Sequence, residues 1–187
     1  MKELTELFTV EKVHSSPARF DMKKLEAING DKIRALSPEE FFTWSLPFLM
    51  NAGVHSGTPA DIELTKRALP IIQERITTLS EIPALLNFLF VTNFQVEPES
   101  LTKIADEDSK RILTLAHERL EALTDWSHTA IEGVLRAALI EELGLKPRVA
   151  FGAVRIAVTG SHISPPLCDS MELLGKEKAL GRIASVR

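Results

Sequence analysis

The chain has 187 residues and a formal net charge of −4, and its 44% hydrophobic and 26% charged residues are typical of a globular protein. No apolar run reaches the roughly 18 residues that a membrane span needs, and the acidic first ten residues do not resemble a signal peptide. The single cysteine, Cys168, excludes a disulfide framework and a cysteine metal site. We therefore expect a cytoplasmic protein with one domain or two small ones.

The charge is unevenly distributed along the chain. Residues 146–187 hold 7 Lys/Arg and 3 Asp/Glu, a formal charge of +4, whereas residues 1–145 hold 15 and 23, a charge of −8. A basic C-terminal unit can bind a polyanion, although short windows of sequence also fluctuate in charge by chance. Charge alone therefore favours no single function.

The first predicted helix begins near residue 21. Asp21 is placed to cap it, Met22, Leu25 and Ile28 would form its apolar side, and the Asn29–Gly30 pair is expected to end it.

Three more helices are expected before residue 90. The run Ser37–Glu40 is a capping box with proline at the first helical position, and Pro47 should bend or end the helix that follows. The run Thr58–Asp61 opens the next helix, which Pro70 should kink. A short apolar helix then starts at Ser80.

Residues 91–100 are predicted to be a connector, after which a long amphipathic helix follows. Thr124 or Asp125 is expected to cap the next helix, and Gly144 to end it. Residues 146–158 are compatible with a strand by their valines and with a helix by their alanines.

The last two helices are predicted beyond residue 160. Ser164 would be the N-cap and Pro165 the first residue of one helix, Gly175 would close it, and a basic helix would complete the chain. Because alternating strand patterns are nearly absent, the predicted fold class is all-α.

The residues show no catalytic or metal motif. A glycine-rich phosphate loop is missing, and the histidines are not at metal-ligand spacing, so each is read as a surface or capping residue. Cys168 falls in the first turn of a predicted helix, where a modestly lowered pKa is conceivable, although a small buried residue is the simpler interpretation. These histidines are His14, His55, His117, His128 and His162.

Three stretches of the chain, residues 15–36, 71–90 and 143–183, carry family-like motifs. Together they resemble bacterial glutamyl-tRNA synthetases, which are class I aminoacyl-tRNA synthetases. The first is residues 15–36, "SSPARFDMKKLEAINGDKIRAL", similar to the segment that follows the family's catalytic domain. The second is residues 71–90, "IIQERITTLSEIPALLNFLF", similar to a helix of the first anticodon-binding unit. The third is residues 143–183, which contain the run "SPPLCDSMELLGKEKALGRI" and resemble the family's most recognisable C-terminal segment.

The resemblance implies an organisation. Residues 1–45 would be the end of a stem-contact domain, residues 46–98 a first anticodon-binding unit and residues 99–187 a second one, both helical. The family's catalytic motifs, similar to His-Ile-Gly-His and Lys-Met-Ser-Lys, do not occur here. The chain alone is therefore expected not to be an enzyme and to hold no cofactor, because ATP and magnesium would bind in the absent catalytic domain.

The resemblance also implies roles for individual residues. Arg155 matches an arginine that packs against the first anticodon base, and Ser164 and Pro165 match a hydroxyl-proline pair at the second base. Leu167 matches an apolar contact to a base, with core packing as the alternative. Arg75 matches an arginine that checks the third base, a cytosine, with an exposed arginine paired to neighbouring glutamates as the alternative.

Some basic residues of the same unit are expected to contact phosphates, with general solubility as the alternative role. Two positions depart from the family pattern, since Cys168 replaces an aromatic residue and Gly152-Ala153 replaces Gln-Pro. The candidate phosphate contacts are Lys146, Arg148, Lys176, Lys178 and Arg182.

The sequence thus predicts recognition of a glutamate tRNA beside a catalytic domain of the same synthetase, with no membrane or DNA partner. Two alternatives stay open: a free-standing tRNA-binding or regulatory protein, and a helical protein-interaction module that has lost RNA binding. The last predicts that Arg155 and Ser164 do not share an exposed surface with the basic helix. A hidden enzyme would need a deep pocket with paired carboxylates. Whether a parent enzyme also charges glutamine tRNA is left open.

Overall fold

The computed structural model describes Glu6, Phe8, Thr9 and residues 21–187, and residues 21–187 form helices joined by turns and loops. The all-α prediction is confirmed. The part of the first family-like stretch before residue 21, and His14, lie outside the described residues. The α-helices are α1 Met22–Arg34, α2 Pro38–Asn51, α3 Pro59–Ala68, α4 Pro70–Gln73, α5 Ile82–Phe90, α6 Pro98–Leu101, α7 Glu107–Glu121, α8 His128–Leu135, α9 Pro147–Thr159, α10 Leu167–Leu174 and α11 Lys176–Val186.

Shorter elements complete the chain. Leu79–Glu81 and Thr102–Ile104 are 3₁₀ helices, and Arg136–Glu142 is a π-helix that continues α8. Residues 146–158, which were compatible with a strand or a helix, lie in α9.

The predicted capping motifs act as expected at two helix starts. Ser37 Oγ accepts a hydrogen bond from Glu40 N at 3.3 Å while Glu40 Oε2 accepts one from Ser37 N at 2.9 Å, which completes a capping box. Thr58 Oγ1 likewise accepts from Asp61 N at 3.2 Å. Both motifs need only residues within one turn, so the sequence is sufficient to predict them.

Predicted helix ends are less reliable. The Asn29–Gly30 pair does not end α1, because Gly30 is buried and the helix continues to Arg34. The C-terminal end of α1 is bound by a residue distant in the chain. Gln73 Nε2 donates to Ile33 O at 2.9 Å and to Leu36 O, just after the helix, at 3.0 Å. The side predicted to be apolar, which begins with Met22, is exposed.

The two prolines differ in their effect. Pro47 does not end α2, because side chains on both sides of it, Phe41 and Leu49, are buried and keep the helix in place. Pro70 does interrupt its helix, since α3 ends at Ala68 and α4 begins at Pro70.

Two predicted N-caps are wrong. Ser127, and neither Thr124 nor Asp125, caps α8 by accepting from Ala130 N at 3.4 Å. Ser164 does not cap α10, which begins at Leu167 without a side-chain cap. At the start of α8, His128 is bonded to Glu172 and Asp169 of α10, and Ser164 is bonded to Arg155, so contacts between helices decide where these helices begin.

The helices form two groups. In the first group α2, α3 and α5 pack together, and in the second α7 to α11 pack together, with α3 touching α10 across the groups. We call residues 46–98 and 99–187 the first and second units; this predicted division stays a prediction. Fully buried side chains include Phe41, Leu49, Ile72 and Leu86 in the first group and Leu113, Leu120, Leu139 and Met171 in the second.

Within the part of the chain that the structure describes, no helix is both long and apolar enough to cross a membrane.

Replacing the observed cap should cost more stability than replacing the predicted one. We expect Ser127→Ala to lower the free energy of unfolding by about 1 kcal/mol, because Ala130 N loses its acceptor. Thr124→Ala is the matched control: Thr124 is exposed, and we expect a change within about 0.5 kcal/mol. Urea unfolding followed by circular dichroism measures both, and equal losses would contradict this assignment.

Candidate nucleic-acid interface

The guanidinium of Arg155 is anchored by the loop that joins α9 to α10. Its Nη1 donates to Ser164 Oγ at 2.9 Å and to Pro165 O at 2.7 Å. The helix holds Arg155 at the surface because Val154 and Ala157 on its other side are buried. The side chain is half-buried, and within the described residues Nε and Nη2 make no hydrogen bond. One edge of the guanidinium is therefore fixed while the rest is free to bind a ligand.

A second arginine lies near Arg155. Burial lowers the pKa of the Arg155 guanidinium, and the positive charge of Arg75 lowers that pKa further. The structure thus brings together one residue from each predicted unit, 80 positions apart in the numbering. Among the described residues, neither guanidinium forms an ion pair with a carboxylate. Two neighbouring cations without a protein counter-charge favour an anionic or electron-rich ligand.

Ser164 acts differently from its predicted role. Instead of capping α10, its hydroxyl accepts from Arg155 and lies 3.1 Å from Pro165 O, to which it donates. Pro165 is buried, so its ring packs inside the protein and holds the loop in place. Its carbonyl oxygen accepts a hydrogen bond from Arg155. Ser164 and Pro165 are therefore parts of the arginine anchor in the free protein.

Leu167 and Cys168 face inward at the start of α10. Leu167 is only 5% exposed, which agrees with the core-packing alternative and leaves little of its surface for a base. Burial raises the pKa of the Cys168 thiol to about 11, with Glu132 and Asp169 adding to the effect. The idea of a lowered pKa is wrong, because the desolvation of a thiolate here outweighs any benefit from the helix start.

The five candidate phosphate contacts divide into two groups. Lys146, Arg148 and Lys178 are exposed. Lys176 instead donates through Nζ to Glu121 O at 2.8 Å and to a second carbonyl after α7, and Arg182 is only 8% exposed. For these two residues, two donors each are bonded to main-chain carbonyls, so part of their hydrogen-bonding capacity serves the protein itself, and their predicted phosphate contact stays a prediction.

One residue of this surface was missed. Ile163 is 67% exposed in the loop between α9 and α10, directly before Ser164. An exposed isoleucine beside an anchored arginine offers an apolar surface on which a base can lie. The available signal was an apolar residue inside a run of turn-forming residues, Ser161 to Pro166.

The described residues contain no group of three or more His, Cys, Asp or Glu side chains that could hold a metal ion. His128 is instead bonded to Asp169, with Nδ1 and Oδ1 3.0 Å apart, and links α8 to α10. A cavity of about 470 Å³ between α2 and the α3–α4 pair has Glu39 as its single carboxylate. This lining does not provide the carboxylate pair that a hidden hydrolase would need.

The fold and this surface define a helical module with an anchored arginine and a ligand-facing loop. A family model for the anticodon-binding domain matches residues 40–187. The chain belongs to this anticodon-binding domain family, which confirms the resemblance seen in the sequence.

Similar proteins agree with this assignment. The chain is 42% identical over 186 residues to a glutamate–tRNA ligase of Saccharopolyspora erythraea and 44% identical over 189 residues to that of Rhodococcus jostii. The matches cover 98% and 100% of this chain but 37% and 38% of the relatives. The chain thus spans little more than a third of the length of these curated relatives.

Solved structures show the same fold. A glutamate tRNA ligase from Elizabethkingia meningosepticum superposes with a TM-score of 0.74 at 21% identity, covering 99% of this chain and 36% of that one. The synthetase from Elizabethkingia anophelis gives 0.71 at 22% identity, covering 99% and 35%.

The raised pKa of Cys168 predicts that its thiol reacts slowly with alkylating reagents. At pH 8 its thiolate fraction should be on the order of 100-fold lower than for a thiol with the ordinary pKa of 9.0. We expect iodoacetamide to alkylate the native chain slowly at pH 8 and the urea-unfolded chain at the rate of a free thiol. Equal rates for the two would contradict the burial of this thiol.

The same pKa predicts the direction of an alkaline effect. Because the folded state holds the Cys168 proton more tightly than the unfolded state, the free energy of unfolding should decrease as the pH rises from about 9 towards 11. The Cys168→Ala variant, compared by urea unfolding over this range, should lose that part of the pH dependence.

Proposed function

We propose that this chain binds the anticodon loop of a glutamate tRNA as the C-terminal part of a glutamyl-tRNA synthetase. The family membership and the ligase relatives support this proposal. The observation that carries it is the Arg155 guanidinium, fixed along one edge by Ser164 and Pro165 and otherwise free, with Arg75 nearby. This is a recognition surface, since it offers orientation and charge and no group placed for bond breaking.

The anchored arginine suits an unstacked base. Sequence-specific RNA recognition uses loop bases that are splayed out, stacked on side chains and bonded along their edges. Because hydrogen bonds to the loop already fix the Arg155 plane, little side-chain entropy would be lost when the first anticodon base stacks on it. Ile163, exposed in the same loop, would support the next base.

Arg75 would read the other end of the anticodon. An arginine fork donates to the carbonyl oxygen and ring nitrogen of a base edge, and a cytosine offers both acceptors on its pairing edge. The positive charge of Arg75 adds to the lowering of the Arg155 pKa, which is compatible with one ligand that contacts both residues. A third-base check for cytosine would separate glutamate tRNA from glutamine tRNA.

Phosphate contacts would supply affinity without sequence selectivity. Lys146, Arg148 and Lys178 are exposed within the basic C-terminal residues 146–187, and the acidic remainder would repel RNA that approaches elsewhere. The net negative charge of the chain is thus compatible with RNA binding, because the local field and not the total charge attracts the ligand.

The ligation itself would take place in a catalytic part outside this chain, in the cytoplasm, where ATP and magnesium would bind. The relatives named as glutamate–tRNA ligases are more than twice as long as the matched region. The role of this chain would be to position the tRNA for that part.

The protein-interaction alternative predicted that Arg155 and Ser164 would not share an exposed surface with the basic helix. Arg155 and Ser164 are bonded to each other at 2.9 Å, but their position relative to the exposed face of the basic helix is not tested by this contact, and that alternative stays open. The free-standing tRNA-binding alternative keeps the same surface and differs only in whether a catalytic part is joined to the chain.

Replacing Arg155 should weaken RNA binding selectively. We expect Arg155→Ala to cost about 1–3 kcal/mol with an anticodon stem-loop of glutamate tRNA, because the stacking contact is lost. Arg119→Ala is the matched control, since it also removes one positive charge, and Arg119 is an exposed arginine of α7 paired with Glu142 at 3.0 Å. Fluorescence anisotropy at fixed salt measures both dissociation constants.

A second RNA with a swapped anticodon makes this experiment decisive. The unmodified chain and Arg119→Ala should prefer the glutamate anticodon, whereas Arg155→Ala should bind both RNAs nearly equally. An equal loss in both arginine variants, with the preference intact, would refute the base-reading role of Arg155.

A phosphate contact should appear in the salt dependence. We expect Arg148→Gln to reduce the slope of log K against log salt by about 1 and to weaken both RNAs to the same extent. Lys110→Gln, whose side chain is already paired with Glu107 at 2.7 Å, should leave the slope unchanged. An unchanged slope for Arg148→Gln would exclude a phosphate contact at this residue.

A further inference from the structure

The buried arginine of α11 joins the ends of two helices. Arg182 Nη1 donates to Val158 O and Nη2 donates to Phe88 O, both at 2.7 Å. Val158 lies in the last turn of α9 and Phe88 in the last turn of α5. Carbonyls in the last turn of a helix have no partner in the helix itself, and the helix dipole makes that end negative. One cation therefore satisfies two helix C-termini at once.

These two helices belong to different units, since α5 lies in residues 46–98 and α9 in residues 99–187. The guanidinium also lies over the Phe94 ring, 3.8 Å from its centroid, in the connector between the units. Arg182, in the second unit, thus contacts Phe88 and Phe94 of residues 46–98 as well as Val158 of its own unit. Within the described residues it has no carboxylate partner, so its bonds to these carbonyls and the aromatic ring compensate its burial.

The connector is also fitted to the end of α9. Gly160 has a φ of +82°, and a Cβ at this position would lie 3.0 Å from Gln95 O and 3.2 Å from the Phe94 ring. Glu97 N donates to Gly160 O at 2.9 Å. The connector therefore contacts the C-terminal end of α9 and presents Phe94 to Arg182.

We propose that Arg182 is a positioning residue that holds the two units in the arrangement at which Arg75 and Arg155 contact the same RNA. Arg155 is on α9, one turn before the Val158 carbonyl that Arg182 binds, and Arg75 is in the first unit, whose α5 carbonyl Arg182 also binds. A change at Arg182 therefore alters the distance between the two arginines without touching either. The statement about RNA rests on the proposed function, whereas the statement about the units does not.

Lys176 provides a matched control on the same helix. It also donates to two main-chain carbonyls, Glu121 O and Leu123 O, but both are in the second unit. Lys176→Met and Arg182→Met each remove one charge and leave two carbonyls without their donor. A purely stabilising role would be shared by both residues, and only Arg182 bridges the units.

The first measurement needs no RNA. In a Cys168→Ser background, spin labels at Glu63→Cys in α3 and Glu118→Cys in α7 report the distance between the units by double electron–electron resonance. We expect one narrow distance distribution for the parent and for Lys176→Met, and a shifted or broadened one for Arg182→Met. If Arg182→Met fails to fold, Arg182→Lys, which keeps the charge but not the planar fork, takes its place. An unchanged distribution overturns the positioning role.

The second measurement uses the anticodon stem-loop. In the parent and in the Lys176→Met background, adding Arg75→Ala should weaken binding by about tenfold. In the Arg182→Met background the same substitution should cost less than about threefold, because Arg75 no longer reaches the RNA in the correct position, while Arg155→Ala keeps its full effect. If Arg75→Ala weakens binding equally in the parent, Lys176→Met and Arg182→Met backgrounds, the proposed effect of Arg182 on RNA recognition is overturned.

The two failures are distinguishable. A parent chain that binds no RNA, with the distance changed by Arg182→Met, overturns the proposed function and leaves the positioning of the units standing. A parent chain that binds and discriminates, with the distance unchanged, overturns the positioning alone.

Discussion

The contact on which the rest of the arrangement depends is the pair of hydrogen bonds from Arg182 to Phe88 O and Val158 O. Two helix C-termini that approach each other inside a protein carry unpaired carbonyls and like-signed dipole ends, so they repel and lose hydration. A planar guanidinium resolves both problems, because its fork points one donor at each carbonyl and its face packs on Phe94. Burial lowers the pKa of Arg182 to about 10, which still leaves it protonated at neutral pH.

Arg155 uses the same chemistry to a different end. Its Nη1 is bound by the α9–α10 loop, as Arg182 is bound by carbonyls, but the side chain is only half-buried. In Arg182 both terminal nitrogens are bonded to protein, whereas in Arg155 a single nitrogen is bonded. Arg182 therefore stabilises the packing of the helices, whereas Arg155 keeps unbonded N–H donors that are available to a ligand. Arg155 lies on α9, the helix whose C-terminal end Arg182 binds, so a change in the position of α9 would also move Arg155.

Local motifs were predicted well and long-range choices were not. The capping box at Ser37 and the cap at Thr58 follow from residues within one turn, as does the break at Pro70. Gly30 does not end α1: it is buried inside the helix, and Gln73, far along the chain, binds two carbonyls at the observed helix end, Ile33 O and Leu36 O. Ser164 had the local properties of an N-cap, yet its hydroxyl oxygen accepts a hydrogen bond from Arg155 instead. In each error a tertiary hydrogen bond outweighs a local preference of about 1 kcal/mol.

The sequence by itself determined the all-helical class, the family, and the candidate residues Arg75, Arg155 and Ser164, since helical periodicity and family motifs are properties of neighbouring residues. Only the tertiary structure decided which basic residues are available. Lys176 and Arg182 are cationic like exposed Lys178 and lie in the same helix, but both donate to main-chain carbonyls, and Arg182 is also buried. Helix orientation depends on how the units pack, and packing is a sum of contacts between residues distant in the chain. For that reason the sequence could name the charged residues but could not say which of them stabilise the fold and which of them are exposed.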